Sequence, residues 1–303
     1  MKNGLKYQGA VVPMITPITA AGGLDVTALD RIVSALLAGG VEGIFVLGTT
    51  GEGVNVPKPL RKLLIEQTVA RVKNRILVYA GLGDIQSGDV SEANEFFRIG
   101  ADAVVVHPPI SNPVPAGELY GWYRALLDQL DGPVILYNMP PTTGVSIPLD
   151  AIEKLVSHPR VVGIKDSENN PKRLEELLRR CGGRSGFSIF VGVGALMQQG
   201  LRLGANGIVP SVGNLIPDVC QNLYLSARRG DWSRAENYFS QMNEVSALYQ
   251  KGRTLNESLS VLKAAAHCRG LCEPHVLPPL LPLSASAMEK LRTQMSQLPW
   301  NGK

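Results

Sequence analysis

The stretch RVVGIKDSENN, residues 160–170, carries Lys165 at the end of a continuous apolar run that reads as a buried strand. An amine in such a place has a specific use. Its ordinary pKa of about 10.4 leaves a tiny fraction unprotonated at pH 7, and a working nucleophile needs that value lowered by roughly three units, about 4 kcal/mol, which burial can supply. The free amine then attacks a ketone and forms a protonated imine, an electron sink for making or breaking a C–C bond at the neighbouring carbon. Strand alternation puts Val161, Gly163 and Lys165 on one face, and likewise Pro133, Ile135 and Tyr137 in the run PVILYN. If both faces point inwards, ammonium and phenol share a pocket, Gly163 leaves room below the lysine, and Tyr137 can donate and accept a proton there. The run LGTTGEG sets Thr49 and Thr50 between Gly48 and Gly51, a loop whose N–H groups and hydroxyls suit a small anion such as a carboxylate. Each residue also has a plainer use. Lys165 could cap its strand in solvent or pair with Asp166 or Glu168, Tyr137 could be core, the threonines could cap a turn, and Glu52 could be a helix N-terminal charge.

Something must bring these residues together, and the sequence pattern supplies it. Short β-rich runs at 9–16, 43–48, 76–81, 102–107, 133–138, 161–166, 187–192 and 206–211 alternate with amphipathic stretches. Continuous Val/Ile runs without period-two alternation indicate strands covered on both faces, as in a parallel sheet. The first amphipathic stretch, DVTALDRIVSALLAGG, opens on Asp25 as an N-cap and closes on Gly39-Gly40, which suits a left-handed helix stop. The joints AGGVEGIFVLG, RIGADAVVVHP and RLGANGIVPSV repeat one βα step. The expected fold is a (β/α)8 TIM barrel with a C-terminal helical extension, divided as residues 1–230 and 231–303, the stretch Pro217–Arg229 supplying the eighth helix. An open doubly wound sheet is the runner-up, weakened because no G-x-G-x-x-G fingerprint follows the first strand. VLPPLLPLS, residues 276–284, has three prolines and reads as an extended connector. In a barrel, function collects at the C-terminal ends of strands, where the threonine loop, Tyr137 and Lys165 all fall.

Composition narrows the partners. With 303 residues and 45% hydrophobic content the chain can bury a large core. A net charge of +4, with Arg179-Arg180 and Arg228-Arg229 in helical patterns, does not make a nucleic-acid surface. No run approaches the roughly 20 apolar residues needed to span a bilayer, and no secretory leader is expected, so the expected location is cytoplasmic. Four cysteines, at 181, 220, 268 and 272, form no disulfide framework. In HCRGLCEPH the residues His267, Cys268, Cys272 and His275 lie close in sequence, but adjacent helical side chains diverge by about 100°, and no paired zinc-knuckle spacing is present; no metal site is expected.

Taken together, GTTGE, YNMP and GIKDS, in this order and on the second, fifth and sixth strands, closely resemble the dihydrodipicolinate synthase/N-acetylneuraminate lyase superfamily. The resemblance runs from GAVVPMITP through GANGIVPSVGN to LKAAAH and PPLLPLS. It implies a class I enzyme acting on pyruvate or another 2-oxo acid, a homotetramer, without metal or organic cofactor. By the resemblance, Lys165 is the imine-forming lysine and Tyr137 moves protons. Thr50 binds the 2-oxo acid carboxylate, Thr49 links this loop to the tyrosine, and Val209 is an apolar contact to the pyruvyl group. Two departures stand out. Dihydrodipicolinate synthases proper follow the tyrosine motif with an arginine that holds the second substrate's carboxylate, and here Thr142 takes that place; a hydroxyl cannot replace a bidentate cation. Their tyrosine pair after the fourth strand is replaced by Pro109 and Ile110. The leading expectation is therefore an aldolase for a 4-hydroxy-2-oxo acid such as a 2-keto-3-deoxy sugar acid. A dehydratase on a related acid comes second, and the synthase of the family name third. A sugar-acid-binding pseudoenzyme with an idle lysine is the non-enzymatic alternative. His107, Ser111, Asn112, Thr142, Thr143 and Asn214 are the polar residues that could line the distal side.

Overall fold

Eight parallel strands close into a barrel in simple chain order in the computed structural model, which describes residues 5–83 and 90–298. They are β1 (Gly9–Pro13), β2 (Gly43–Val46), β3 (Leu77–Leu82), β4 (Ala103–Val106), β5 (Val134–Asn138), β6 (Val161–Asp166), β7 (Ser188–Val191) and β8 (Gly207–Ile208). Each pairs with its sequence neighbour, and Gly9 opposite Gly207 closes the ring between β1 and β8. Seven strands fall inside the runs the sequence marks, and β3 runs one residue past its run, to Leu82.

The helices that cover the barrel are α1 (Val26–Ala38), α2 (Lys58–Val72), α3 (Val90–Ile99), α4 (Leu119–Leu127), α5 (Pro140–Thr143), α6 (Leu149–Leu155), α7 (Pro171–Cys181), α8 (Met197–Arg202) and α9 (Pro217–Arg228). The extension continues as α10 (Trp232–Gln250), α11 (Leu255–Cys268) and α12 (Ala285–Ser296). Local signals explain several starts. Asp25 caps α1 by accepting the Ala28 N–H at 2.9 Å, and Gly40, one residue past the C-cap, takes φ +71. Thr254 and Glu257 form a reciprocal capping box on α11. A further amphipathic stretch in the sequence, DVSEANEFFRIG, begins at Asp89, which lies outside the described residues. The eighth barrel helix is α9, as expected, and the proline-rich stretch after Cys272 runs without regular structure to Ser284.

Two apolar layers result. The outer one fills the space between strands and helices, with Val12, Ile44, Val104, Leu136, Ile164 and Ile189 fully buried. The inner one fills the barrel with Val11, Phe45, Tyr79, Val105, Ile135, Tyr137, Phe190 and Val209. Continuous apolar runs follow directly, because each strand meets apolar neighbours on both faces.

One register detail differs from strict alternation. Between β5 and β6 the pairing shifts: Val134 faces Val161, but Ile135 faces Gly163. This bulge leaves Val161 in the outer layer and turns Val162 towards the inner one, so Val161 does not share the face of Lys165. From Gly163 onward the alternation resumes.

Candidate active site

Past the bulge, Tyr137 and Lys165 are direct cross-strand partners on the inward face, one residue from the ends of β5 and β6. Lys165 is 6% exposed and Tyr137 3%. The Lys165 ammonium lies 4.0 Å from the Tyr137 ring centroid and 4.9 Å from that of Phe45. These π-faces favour a cation at this point, whether an ammonium or an iminium. Below it, Val11, Tyr79, Val105, Ile135, Phe190 and Val209 form an apolar cup. The alternative partners suggested by sequence are engaged elsewhere: on the outer face of β6, Arg173 meets Asp166 at 3.2 Å and Glu168 at 3.1 Å, and Asn138 bridges the same two carboxylates.

The glycine that makes room for the lysine is Gly192 and not Gly163. A methyl at 163 would meet the Ser188 carbonyl of the neighbouring strand at 2.6 Å, whereas one at 192 would overlap Ser167 Oγ and stand 3.1 Å from Lys165 Cε. Gly192 follows β7, so its proximity is set by the barrel and not by sequence distance.

The threonine loop reaches the tyrosine through a forced turn. Leu47 leaves β2 with φ +58, a costly conformation for a branched side chain. Its carbonyl is packed so closely against Gly53 and Gly81 that a Cβ at either would overlap it. The chain then forms a short 3-10 turn over Thr49–Gly51, closed by Gly51 and Gly53 N–H groups donating to Gly48 O. Thr49 Oγ1 lies 3.3 Å from the Tyr137 hydroxyl, and half-buried Thr50 follows it in the turn.

Electrostatics single out the phenol. Burial alone would push Tyr137 up, but the nearby Lys165 charge and hydrogen bonds with Thr49, Lys165 and Ser167 outweigh it, leaving the phenol below its ordinary value of 10.0. Tyr79 and Tyr123, without such partners, are driven upward by burial. Ser167 stands inside the GIKDS motif but shows no role from sequence alone, since its position beside Gly192 and Tyr137 appears only in three dimensions.

Beside this centre a cavity of about 100 Å3 opens along the ends of β2 to β5. His107 and Thr142 line it, together with Thr49 and Tyr137, while Leu255, Asn256 and Leu259 of α11 and Leu280 close it from the extension. His107 donates from Nδ1 to the Pro108 carbonyl at 2.7 Å, since a carbonyl can only accept. Thr142 Oγ1 is buried without a hydrogen-bond partner among the described residues. Two other candidates are committed to the fold: Asn214 receives the Ile15 N–H and donates to Pro13 O, and the single Thr143 hydroxyl proton lies within reach of both Met139 O and Val145 O. Ser111 and Asn112 are exposed and do not line this cavity.

The His/Cys group near the end of α11 does not converge. His267 Nδ1 meets the Cys272 carbonyl at 3.0 Å and Cys268 Sγ lies 3.9 Å from Met288 Sδ. Among the described residues no three His, Cys, Asp or Glu side chains come together as a metal site, and no helix is long and apolar enough to cross a membrane.

The profile of the Dihydrodipicolinate synthetase family matches residues 6–298, with the lysine, tyrosine and threonine loop all inside the match. The chain belongs to that family. A solved dihydrodipicolinate synthase from Bacteroides thetaiotaomicron is 32% identical and superposes with a TM-score of 0.91 over 98% of this chain and all of its own. YagE of Escherichia coli K12, a prophage protein solved in complex with pyruvate, gives 0.89 at 28% identity over 96% of this chain and 98% of its own. By sequence, YagE, named a putative 2-dehydro-3-deoxy-D-gluconate aldolase, is 28% identical over 98% of this chain and 99% of its own. Among the described residues lining the distal cavity none is an arginine or a lysine, and Arg61, at its edge near Gly83, is paired with Glu92 at 3.3 Å.

Proposed function

We propose that the chain, a lyase of this family, forms an imine between Lys165 and pyruvate or another 2-oxo acid, and breaks or makes the C3–C4 bond of a 4-hydroxy-2-oxo acid such as a 2-keto-3-deoxy sugar acid. The observation that carries this reading is a buried amine 4.0 Å from the ring of a tyrosine whose phenol is held below its ordinary range. In the cleavage direction the Lys165 amine adds to the C2 carbonyl, and loss of water gives the iminium. Tyr137 takes the proton of the C4 hydroxyl; the C4–O electrons become the aldehyde carbonyl, and the C3–C4 pair moves into the iminium to give an enamine. Protonation at C3 and hydrolysis then release pyruvate and regenerate the amine. Thr50 holds the carboxylate at the turn, Thr49 links the turn to the Tyr137 hydroxyl, Val209 packs on the pyruvyl group, and the rings of Phe45 and Tyr137 stabilise the cation.

Many relatives carry the synthase name, but that condensation needs a site for the second substrate's carboxylate, and Thr142 offers a hydroxyl there. An orphan hydroxyl suits a hydroxylated, uncharged aldehyde better, because a substrate that pairs it removes a buried unsatisfied group. The name of YagE points the same way. Incubation with 2-keto-3-deoxy sugar acids, followed by measurement of pyruvate and aldehyde, tests the reading. Formation of a 2-oxo semialdehyde without pyruvate would make the chain a dehydratase, and neither product, with no imine on borohydride treatment, would make it a binding protein. We place the enzyme in the cytoplasm, as four free thiols suit, and as a homotetramer, which sedimentation would check.

A further inference from the structure

A second buried lysine takes no part in these steps. Lys263 of α11 is 1% exposed, and its ammonium pairs with the Glu52 carboxylate and donates to the Thr16 carbonyl at 2.8 Å. Glu52 is itself 3% exposed and lines the distal cavity, and its other oxygen accepts the Leu277 N–H at 2.7 Å. Thr16 Oγ1 in turn donates to Gly51 O at 2.6 Å. Thus Gly51 and Glu52, the two residues that follow Thr49-Thr50, are gripped by β1's exit, by α11 and by the stretch around Leu277.

An ion pair this deep is a poor choice for stability alone, since well-packed apolar residues of similar volume commonly serve as well or better. Its directionality is what an apolar pair lacks. Glu52 also sits at φ +58, a left-handed conformation that persists in a non-glycine residue only when the surroundings impose it. The pair supplies that constraint from 211 positions away in sequence, on the turn that sets Thr49 against Tyr137.

We propose that Lys263 and Glu52 are positioning residues for the 2-oxo acid's carboxylate: their buried pair locks the Thr49–Gly51 turn onto the C-terminal extension. This rests on the function proposed above, so the test carries one readout that needs no substrate. Three variants are compared: Lys263→Met, Glu52→Gln, and the double variant, in which no charge is left unpaired. The first readout is amide exchange across residues 48–57. The second is the pyruvate concentration that half-saturates borohydride trapping, with the trapping rate at saturation and the melting temperature recorded alongside.

The expected result is faster exchange at 48–57 with unchanged exchange in β5 and β6, and half-saturating pyruvate raised roughly tenfold or more, with a smaller change at saturation. The double variant recovers melting temperature because it buries no lone charge, yet keeps the raised half-saturation because the tether is still missing. Should Lys263→Met fail to fold, the double variant decides. A double variant that regains both wild-type melting and wild-type half-saturation overturns the positioning role and leaves the pair a structural one. Unchanged exchange at 48–57 in folded variants overturns it as well. Failure of the unmodified chain to trap pyruvate overturns the function instead, and the exchange measurement then still judges the coupling.

Discussion

Gly192→Ala perturbs the proposed centre without replacing a reacting residue. Its new methyl would overlap Ser167 Oγ, lie 3.1 Å from Lys165 Cε and 3.2 Å from the Asp166 carbonyl. The carbonyl is the least able to yield, because it accepts the Gly192 N–H at 2.7 Å. The two side chains must therefore move. A carbon–carbon contact relaxes at about 3.5–4.0 Å, so Lys165 Cε retreats by roughly half an ångström, and Ser167 turns away from Tyr137. Overpacking of this kind costs about 1–3 kcal/mol of stability, leaving the barrel folded. Misplacement of a reacting atom by about 1 Å is worth roughly 100-fold in rate, so a shift of about half that size predicts a loss of roughly 10-fold in imine formation. Rapid-quench borohydride trapping with pyruvate reads the rate, and thermal melting confirms the fold. A folded Gly192→Ala chain that traps pyruvate at the wild-type rate would refute the claim that this glycine sets the position of the amine.

Lys165→Ala should abolish turnover and trapping while circular dichroism and melting stay close to those of the parent. Tyr137→Phe should lower turnover by roughly 100-fold or more, and near-normal rates would show that another group moves the proton. Because Tyr137's folded value lies below 10.0, the phenolate form needed to accept a proton is lost as pH falls through that value, so the rate should rise with pH to an inflection below 10.0. Thr49→Val and Ser167→Ala each remove a donor to the phenolate, and the inflection should move to higher pH in both. Thr142→Val should leave pyruvate trapping unchanged and stability unchanged or higher by about 1 kcal/mol, because an unsatisfied hydroxyl is removed; half-saturation by the aldehyde in the synthetic direction should rise.

The barrel was legible because parallel strands buried on both faces leave continuous Val/Ile runs, and similar glycine joints recur before three of the strands. Lys165 and Tyr137 stood out for a related reason, as polar groups at the ends of such runs. What stayed hidden depended on geometry that local pattern does not carry. Parity along β6 fails at the bulge near Val162, which takes Val161 off the face of Lys165, and the room beside the lysine comes from Gly192 past the end of the neighbouring strand β7. Ser167 was visible in its motif, but its contact with Tyr137 requires β5 and β6 in register. Asn214 and Thr143 looked like ligand groups from their polarity, and their hydrogen bonds go to the backbone. The Glu52–Lys263 pair and the closure of the cavity by α11 join regions some 200 residues apart, and no spacing rule links a loop after β2 to a helix beyond the barrel.

The central claim is that one amine, on Lys165, bonds covalently to a keto carbon. Borohydride reduction of the wild-type chain in the presence of pyruvate, followed by peptide mass mapping, measures this directly. The account predicts one reduced pyruvyl group per chain, located on Lys165, with Lys263 unmodified behind its ion pair. An unmodified chain, or a label on any other lysine, would contradict it.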